Sequence, residues 1–182
     1  MLTYEQRMAA NIGCDIDGTL LDYGHQQGEP HLLNTALCEQ LRGNNIHLVT
    51  NQGGLPFGIA GAVGFPTPAD FLARLEFLVS GLAQYQIQVA SLRICVFHPK
   101  AGEGDIYQAK RQLEQALRWP QRFLSVVYDA DYWRKPNPAM LWMAGVETYY
   151  GDSDEDMQAA ENAGAVGIRV ERFMKREEQS NG

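Results

Sequence analysis

The sequence predicts an α/β fold built on a central parallel β-sheet. Short apolar runs alternate with amphipathic stretches along most of the chain, the pattern of strand–helix–strand units joined by right-handed crossovers. Several apolar runs end on an acid, a hydroxyl or glycines, and ligands collect beyond the C-terminal strand ends of such a sheet. With 182 residues, 45% hydrophobic and 20% charged, the chain can build one core and falls short of two full domains.

Ile12-Gly13-Cys14 reads as a first strand running into Asp15-Ile16-Asp17-Gly18-Thr19-Leu20. Leu33, Leu37 and Leu41 share a helical face, which predicts a helix over about 31–42 stopped by Gly43. Ile46–Val49 is the next strand and ends on Thr50-Asn51-Gln52-Gly53-Gly54. Glycines at 53, 54, 58, 61 and 64 predict a segment, up to about Pro66, that holds no regular element. Thr67-Pro68-Ala69-Asp70 is a helix start, with a hydroxyl N-cap, proline at the first position and an acid in the first turn. Phe71, Leu75, Leu78 and Leu82 line one face of that helix.

Ser91–Phe97 reads as the third strand. Ile106, Ala109, Leu113 and Leu117 are in helical register, predicting a helix over about 105–118, and Phe123–Tyr128 is a further candidate strand. Lys135-Pro136-Asn137-Pro138 breaks the chain and starts a helix from Ala139 to about Ala144. Val146–Tyr150 is a strand ending on Gly151-Asp152, a short helix follows over about 154–163 closed by Gly164, and Val166–Val170 is the last strand. The expected organisation is a core over 1–174 with an insertion or flap at about 98–134, followed by a frayed charged tail at 175–182.

Fifteen Lys+Arg against 22 Asp+Glu leave a formal charge of -7, which argues against binding nucleic acid through a bulk positive field but leaves a local basic groove open. No apolar run approaches the roughly 18–20 residues of a membrane span, so no membrane partner is expected. The start MLTYEQRMAAN lacks the basic flank and apolar centre of a signal peptide, and the expected location is cytoplasmic. Cys14, Cys38 and Cys95 are odd in number and widely spaced, matching neither a disulfide framework nor a zinc pattern.

The chemistry-bearing groups fall at the ligand edge of the expected sheet. They are Asp15 and Asp17 after the first strand, Thr50 after the second, Lys135 at a helix start and Asp152 after the strand that ends at Gly151. Carboxylates crowded into one crevice repel one another unless a divalent cation neutralises them, and oxygen-only ligands suit Mg²⁺. A lysine, a hydroxyl and glycine-rich backbone N–H groups are donors for a tetrahedral anion. Together they suit phosphoryl transfer, with one carboxylate to attack phosphorus and another to handle the proton.

The ordered strings DIDGTL, LVTNQGG, RKPNP and GDSDED resemble the four motifs of the haloacid dehalogenase-like (HAD) hydrolase superfamily, over about residues 12 to 170. The resemblance implies a three-layer Rossmann-like core. In it Asp15 is the nucleophile that forms an aspartyl-phosphate, and Asp17 is the general acid/base whose backbone carbonyl also helps to hold Mg²⁺. It implies that Thr50 and Asn51 bind the substrate phosphate, that Lys135 offsets the charge of Asp15 and the phosphate, and that Asp152 is an acidic metal ligand with Asp156 behind it. An acid at position 17 marks a phosphatase rather than a dehalogenase. The TNQ-G string is similar to the branch of histidinol-phosphate, heptose-bisphosphate and polynucleotide 3'-phosphatases. The chain departs from the sugar- and histidinol-phosphate members in lacking their Cys/His zinc loop, since only His98 stands before the lysine motif.

One helix and one strand consume most of the stretch between Asp15 and Thr50, so no full cap domain fits there, and the 98–134 segment is flap-sized. An open site of this kind admits bulky substrates unless something closes it. The expected substrates are a nucleotide or polynucleotide phosphate end, or a small sugar or amino-alcohol phosphate. Other readings compete. An EF-hand loop beginning at Asp15 needs an acid at its twelfth position, where Gln26 stands. A response-regulator receiver also sets acids, Thr and Lys on a parallel sheet, but its acidic pair and its phosphorylated Asp lie on different strands. A catalytically silent HAD-like binder is the remaining alternative. Trp119, Tyr128, Tyr132 and Trp133 either stack a base or pack the insertion. Arg134 either meets a substrate charge or lies on the surface, His25, His31 and His98 either touch substrate or sit in solvated loops, and Cys14 reads as core.

Overall fold

Apolar runs too short for helices became strands: β1 (Ile12–Cys14), β2 (Asn45–Asn51), β3 (Gln88–Cys95), β4 (Leu124–Val127), β5 (Thr148–Gly151) and β6 (Val166–Arg169). The computed structural model describes residues 11–22, 31–117 and 124–173; the readings on His25, Gln26, Trp119, the N-terminal start and the charged tail lie outside them. All six strands pair in parallel in one sheet of order β4-β3-β2-β1-β5-β6. The sheet is α/β as the alternating pattern predicts. β3 starts at Gln88 rather than Ser91 because Gln88 and Val89 continue the ladder opposite Asn45 and Ile46.

The helices are α1 (Thr35–Gln40), α2 (Leu55–Ile59), α3 (Pro68–Gln84), α4 (Glu103–Ala116), α5 (Ala130–Trp133), α6 (Ala139–Ala144) and α7 (Asp154–Ala163). Leu48 and Val49, adjacent in β2, feed opposite faces of the sheet, as the two-residue period of a strand requires. On one face Ile46, Leu48, Leu92 and Ile94 pack with Leu37 of α1, with Phe71, Leu75, Leu78 and Leu82 of α3, and with Ile106, Ala109 and Leu113 of α4. On the other, Val49, Cys95 and Tyr149 pack with Met140 and Leu141 of α6 and Ala159 and Ala160 of α7. The result is three layers, helix–sheet–helix. Segment 98–134 contributes α4, the edge strand β4 and the short α5 to these layers.

The capping chemistry works as the residues suggest. Thr67 and Asp70 form a reciprocal capping box at α3, and Ser153 and Asp156 form another at α7. Asn34 caps α1 with its carbonyl oxygen while its side-chain amide donates to Thr19 O at 2.9 Å, tying that helix to the acidic turn. One expectation fails. The glycine-rich stretch 53–66 does hold a regular element, α2, started by Pro56 and anchored by buried Leu55. Gly58 is there for close approach, because a Cβ at that position would lie 2.1 Å from the Pro66 carbonyl oxygen. Among the described residues no helix is long and apolar enough to cross a membrane.

Candidate active site

β1 and β5 are neighbours, so the residues that follow them meet at one edge of the sheet. Asp15 N donates to Tyr150 O at 2.9 Å, which carries the backbone one residue past the β1 ladder and buries the Asp15 carboxyl. The chain then folds back in a tight turn, with Leu20 N and Leu21 N donating to Ile16 O and Gly18 N to Leu21 O. Gly18 has φ +80°, and a Cβ there would sit 2.6 Å from Asp152 Oδ2. Both the conformation and the packed Asp152 carboxylate therefore demand glycine.

Lys135 is fully enclosed at the centre of the site. Its Nζ donates to Asp15 Oδ1 and Asp156 Oδ1, both at 2.6 Å, to Tyr149 Oη at 3.0 Å and towards Val49 O at 3.4 Å. Tyr149 Oη in turn donates to Val49 O at 2.8 Å. Asn51 grips the Lys135 backbone in both directions, its side-chain amide donating to Lys135 O and its carbonyl accepting from Lys135 N, each at 3.2 Å. The Lys135–Pro136 peptide is cis. Asn51, expected among the phosphate binders, thus also holds the lysine's backbone. Thr50 is buried at the end of β2 and accepts from Gln52 Nε2 at 3.0 Å.

Asp17 points a different way from Asp15. Its Oδ2 accepts from Gln52 Nε2 at 2.6 Å and its Oδ1 from Arg74 Nη2 of α3 at 2.5 Å. Oxygens of Asp15, Asp152 and Asp156 lie within 4.8 Å of one another, whereas the Asp17 carboxylate is outside that group. Asp156 has little left to offer a cation: Oδ1 accepts from Lys135, and Oδ2 accepts from Ser153 Oγ at 2.6 Å and Ser153 N at 3.1 Å. Asp152 accepts from Arg172 Nε at 2.5 Å, and its backbone carbonyl accepts from Arg169.

The electrostatics follow from burial. Burial raises the Asp15 carboxyl to about 7, with Lys135 pulling it down and Asp156 and Asp17 pushing it up. For Asp156 burial also raises, but attraction and hydrogen bonding from Lys135, with hydrogen bonds from Ser153, outweigh it and hold the carboxyl low. Lys135 is raised well above its ordinary value, because Asp15, Tyr149 and Asp156 overcome the burial that opposes its charge. One lysine thus faces two buried acids, and a raised Asp15 is how the pocket resists the surplus negative charge. The donor set around that surplus is all oxygen, which fits a hard divalent cation held by Asp15 and Asp152.

No protein-family model matches the chain, and neither does any curated protein. Solved structures do match. A protein from Mesorhizobium loti assigned as a HAD-like phosphatase aligns with TM-score 0.60 at 21% identity, covering 90% of this chain and 77% of that one. D,D-heptose 1,7-bisphosphate phosphatase from B. bronchiseptica, complexed with magnesium and phosphate, aligns with TM-score 0.59 at 21% identity, covering 90% of this chain and 82% of that one. The fold is that of the HAD-like phosphatases. The Pnkp1/Rnl/Hen1 RNA repair complex also matches, at 12% identity and TM-score 0.42, over 93% of this chain and 44% of that one.

Within this HAD-like core, sequence reasoning missed Gln52, Arg74, Tyr149 and Arg172. Gln52 adjoins a predicted residue and was legible by neighbourhood. Arg74 lies on a helix marked by its apolar face, and Arg172 follows the last strand; nothing local marks either as an acid's partner. Arg134 donates to Phe97 O at 3.2 Å, and His98 and His31 pack edge-on or tilted against Phe57 and Phe77. Tyr132 and Trp133 pack on each other at 5.4 Å, and Cys14 is core.

Proposed function

We propose that the chain is a Mg²⁺-dependent phosphomonoester hydrolase that works through an aspartyl-phosphate. The observation that carries this reading is the Lys135 ammonium clamped between Asp15 and Asp156 beside the Asp15–Asp152 acid pair. In it, Asp15 Oδ2 attacks phosphorus while Lys135 holds Oδ1, and the bond to the leaving oxygen breaks. Asp17, aimed by Gln52 and Arg74, gives a proton to that oxygen and later takes one from the water that hydrolyses the acyl phosphate. Thr50 Oγ1 and the backbone N–H groups of the glycine turns are the donors for the phosphoryl oxygens. The Asp15 and Asp152 carboxylates and the Asp17 carbonyl would hold Mg²⁺, which would supply charge neutralisation of the phosphate. Asn51 acts by holding Lys135 in place, and Asp156 by holding both the lysine and the start of α7.

The substrate is a nucleotide or polynucleotide phosphate end or a small sugar or amino-alcohol phosphate, and the setting is cytoplasmic. The test is phosphate release from 4-methylumbelliferyl phosphate with and without Mg²⁺. The wild type should turn over only with the metal, and Asp15→Asn should abolish turnover. A wild type silent across a panel of phosphomonoesters would transfer the fold to a phosphate-binding role without catalysis.

A further inference from the structure

Tyr149 is fully buried on β5, directly opposite Gly13 of β1, and β1 separates β5 from β2. Its side chain nevertheless reaches β2, because Oη donates to the carbonyl oxygen of Val49 at 2.8 Å. The ring passes β1 at a residue without a side chain. A Cβ on Gly13 would lie 2.8 Å from Tyr149 Cδ2 and 2.8 Å from Val146 Cγ2, so a larger residue there would push the ring aside. A buried phenol needs partners for its hydroxyl, whereas phenylalanine would fill the same space without that demand. The partner that gives this hydroxyl a use is Lys135.

A lysine ammonium has three protons and no lone pair. Lys135 Nζ has three close acceptors: Asp15 Oδ1 and Asp156 Oδ1 at 2.6 Å, and Tyr149 Oη at 3.0 Å. Val49 O, at 3.4 Å, is a distant fourth and already takes the Tyr149 proton. Asp156 Oδ1 is 3.4 Å from the phenol oxygen and is the poorer acceptor for that proton. The phenol oxygen is therefore an acceptor towards the lysine, and all three ammonium protons are assigned within the fold. None is left for an oxygen of a bound phosphate. Lys135 reaches the substrate through its charge and through the Asp15 carboxylate that it holds.

We infer that Tyr149 is a positioning residue: its phenol takes the third ammonium proton and so pins Lys135 to Asp15 rather than to the phosphoryl group. This rests on the phosphatase reading above and deepens it. With Oδ1 of Asp15 held by the ammonium, Oδ2 faces phosphorus, and its aim depends on where Nζ sits. Three anchors in different directions fix Nζ, whereas two leave it free to swing about the line from Asp15 to Asp156. Tyr149→Phe keeps the ring and removes the third anchor, leaving Val49 O at 3.4 Å as the nearest acceptor for the released proton.

The first experiment compares wild type and Tyr149→Phe on 4-methylumbelliferyl phosphate with Mg²⁺. In the variant kcat should fall about tenfold, the worth of one hydrogen bond to a charged group. KM and the inhibition constant of inorganic phosphate should stay within twofold of wild type. A kcat within twofold of wild type, or a loss that falls on KM and phosphate binding instead, overturns the inference. The second readout needs no turnover. Lysine-selective ¹H–¹⁵N spectra of the wild type should show an ammonium protected from exchange, identified by its loss in Lys135→Met. Tyr149→Phe should shift that signal or speed its exchange, whereas Gly58→Ala, which strains α2 against Pro66, should leave it in place. A wild type without a protected ammonium, a signal unmoved in Tyr149→Phe, or one moved equally by Gly58→Ala overturns the inference whatever the kinetics. Should the wild type hydrolyse no phosphomonoester, the phosphatase reading fails, and the spectra alone decide whether Tyr149 positions Lys135.

Discussion

Replacing Lys135 with methionine keeps a long unbranched side chain and removes an ammonium that faces two acids. The side chains of Lys135, Asp15 and Asp156 are 4%, 8% and 2% exposed, so water cannot take over. Removing one partner of a buried ion pair costs about 3–5 kcal/mol, and here both carboxylates lose theirs. A domain of this size loses about 2–4 °C of melting temperature per kcal/mol, so the variant should melt roughly 6–20 °C below the wild type. The pH dependence has a definite sign. Asp15, with its folded pKa raised to about 7, contributes stability that is full below its unfolded value near 4 and lost as pH rises through about 7. Asp156, held low mainly against its burial by Lys135, contributes stability that is present above about 4 and lost as pH falls through its folded value. Lys135→Met takes away the attraction that lowers both, so both acids favour the proton and the deficit against wild type should widen from pH 5 to pH 8. Thermal unfolding followed by circular dichroism in chelator, at both pH values, measures it. A melting temperature within about 2 °C of wild type at both pH values would refute the buried charge network.

Asp17→Asn should leave the melting temperature nearly unchanged, since the amide oxygen still accepts from Gln52 or Arg74, while kcat on an aryl phosphate falls about 10²–10⁴-fold; unaltered turnover would remove Asp17 from proton transfer. Arg172→Gln frees the Asp152 carboxylate from a half-exposed cation. Such a pair is worth up to about 1 kcal/mol, so calorimetry should show Mg²⁺ binding up to about fivefold tighter, and weaker binding would mean that Arg172 orients Asp152 instead. Gly58→Ala should destabilise the fold by about 1–3 kcal/mol in urea denaturation, because the backbone oxygen of Pro66 blocks the new methyl group. Wild-type stability there would show that the loop opens freely.

The order and type of the main elements were legible because they follow from local physics. The face formed by Phe71, Leu75, Leu78 and Leu82 demands a helix, and Thr67 with Asp70 caps it whatever lies beyond. The positions of the acids were legible too, since Asp15, Asp17 and Asp152 close apolar runs that had to be strands of one sheet. α2 was hidden because its glycines suggested a loose chain; Gly58 owes its place to a carbonyl packed from another turn. The edge strand β4 was only a candidate in the sequence, since its four residues carry too short a pattern until β3 pairs with them.

By itself the sequence determined the alternation that makes a parallel sheet, the caps that set the helices, and the carboxylates and lysine at the ligand edge. The tertiary structure decided which partner each acid has. Arg74 reaches Asp17 across 57 residues, Arg172 reaches Asp152 across 20, and Lys135 finds Asp15 across 120. Elements form from neighbours along the chain, whereas these pairs exist only where crossovers bring strand ends and helix faces to one edge.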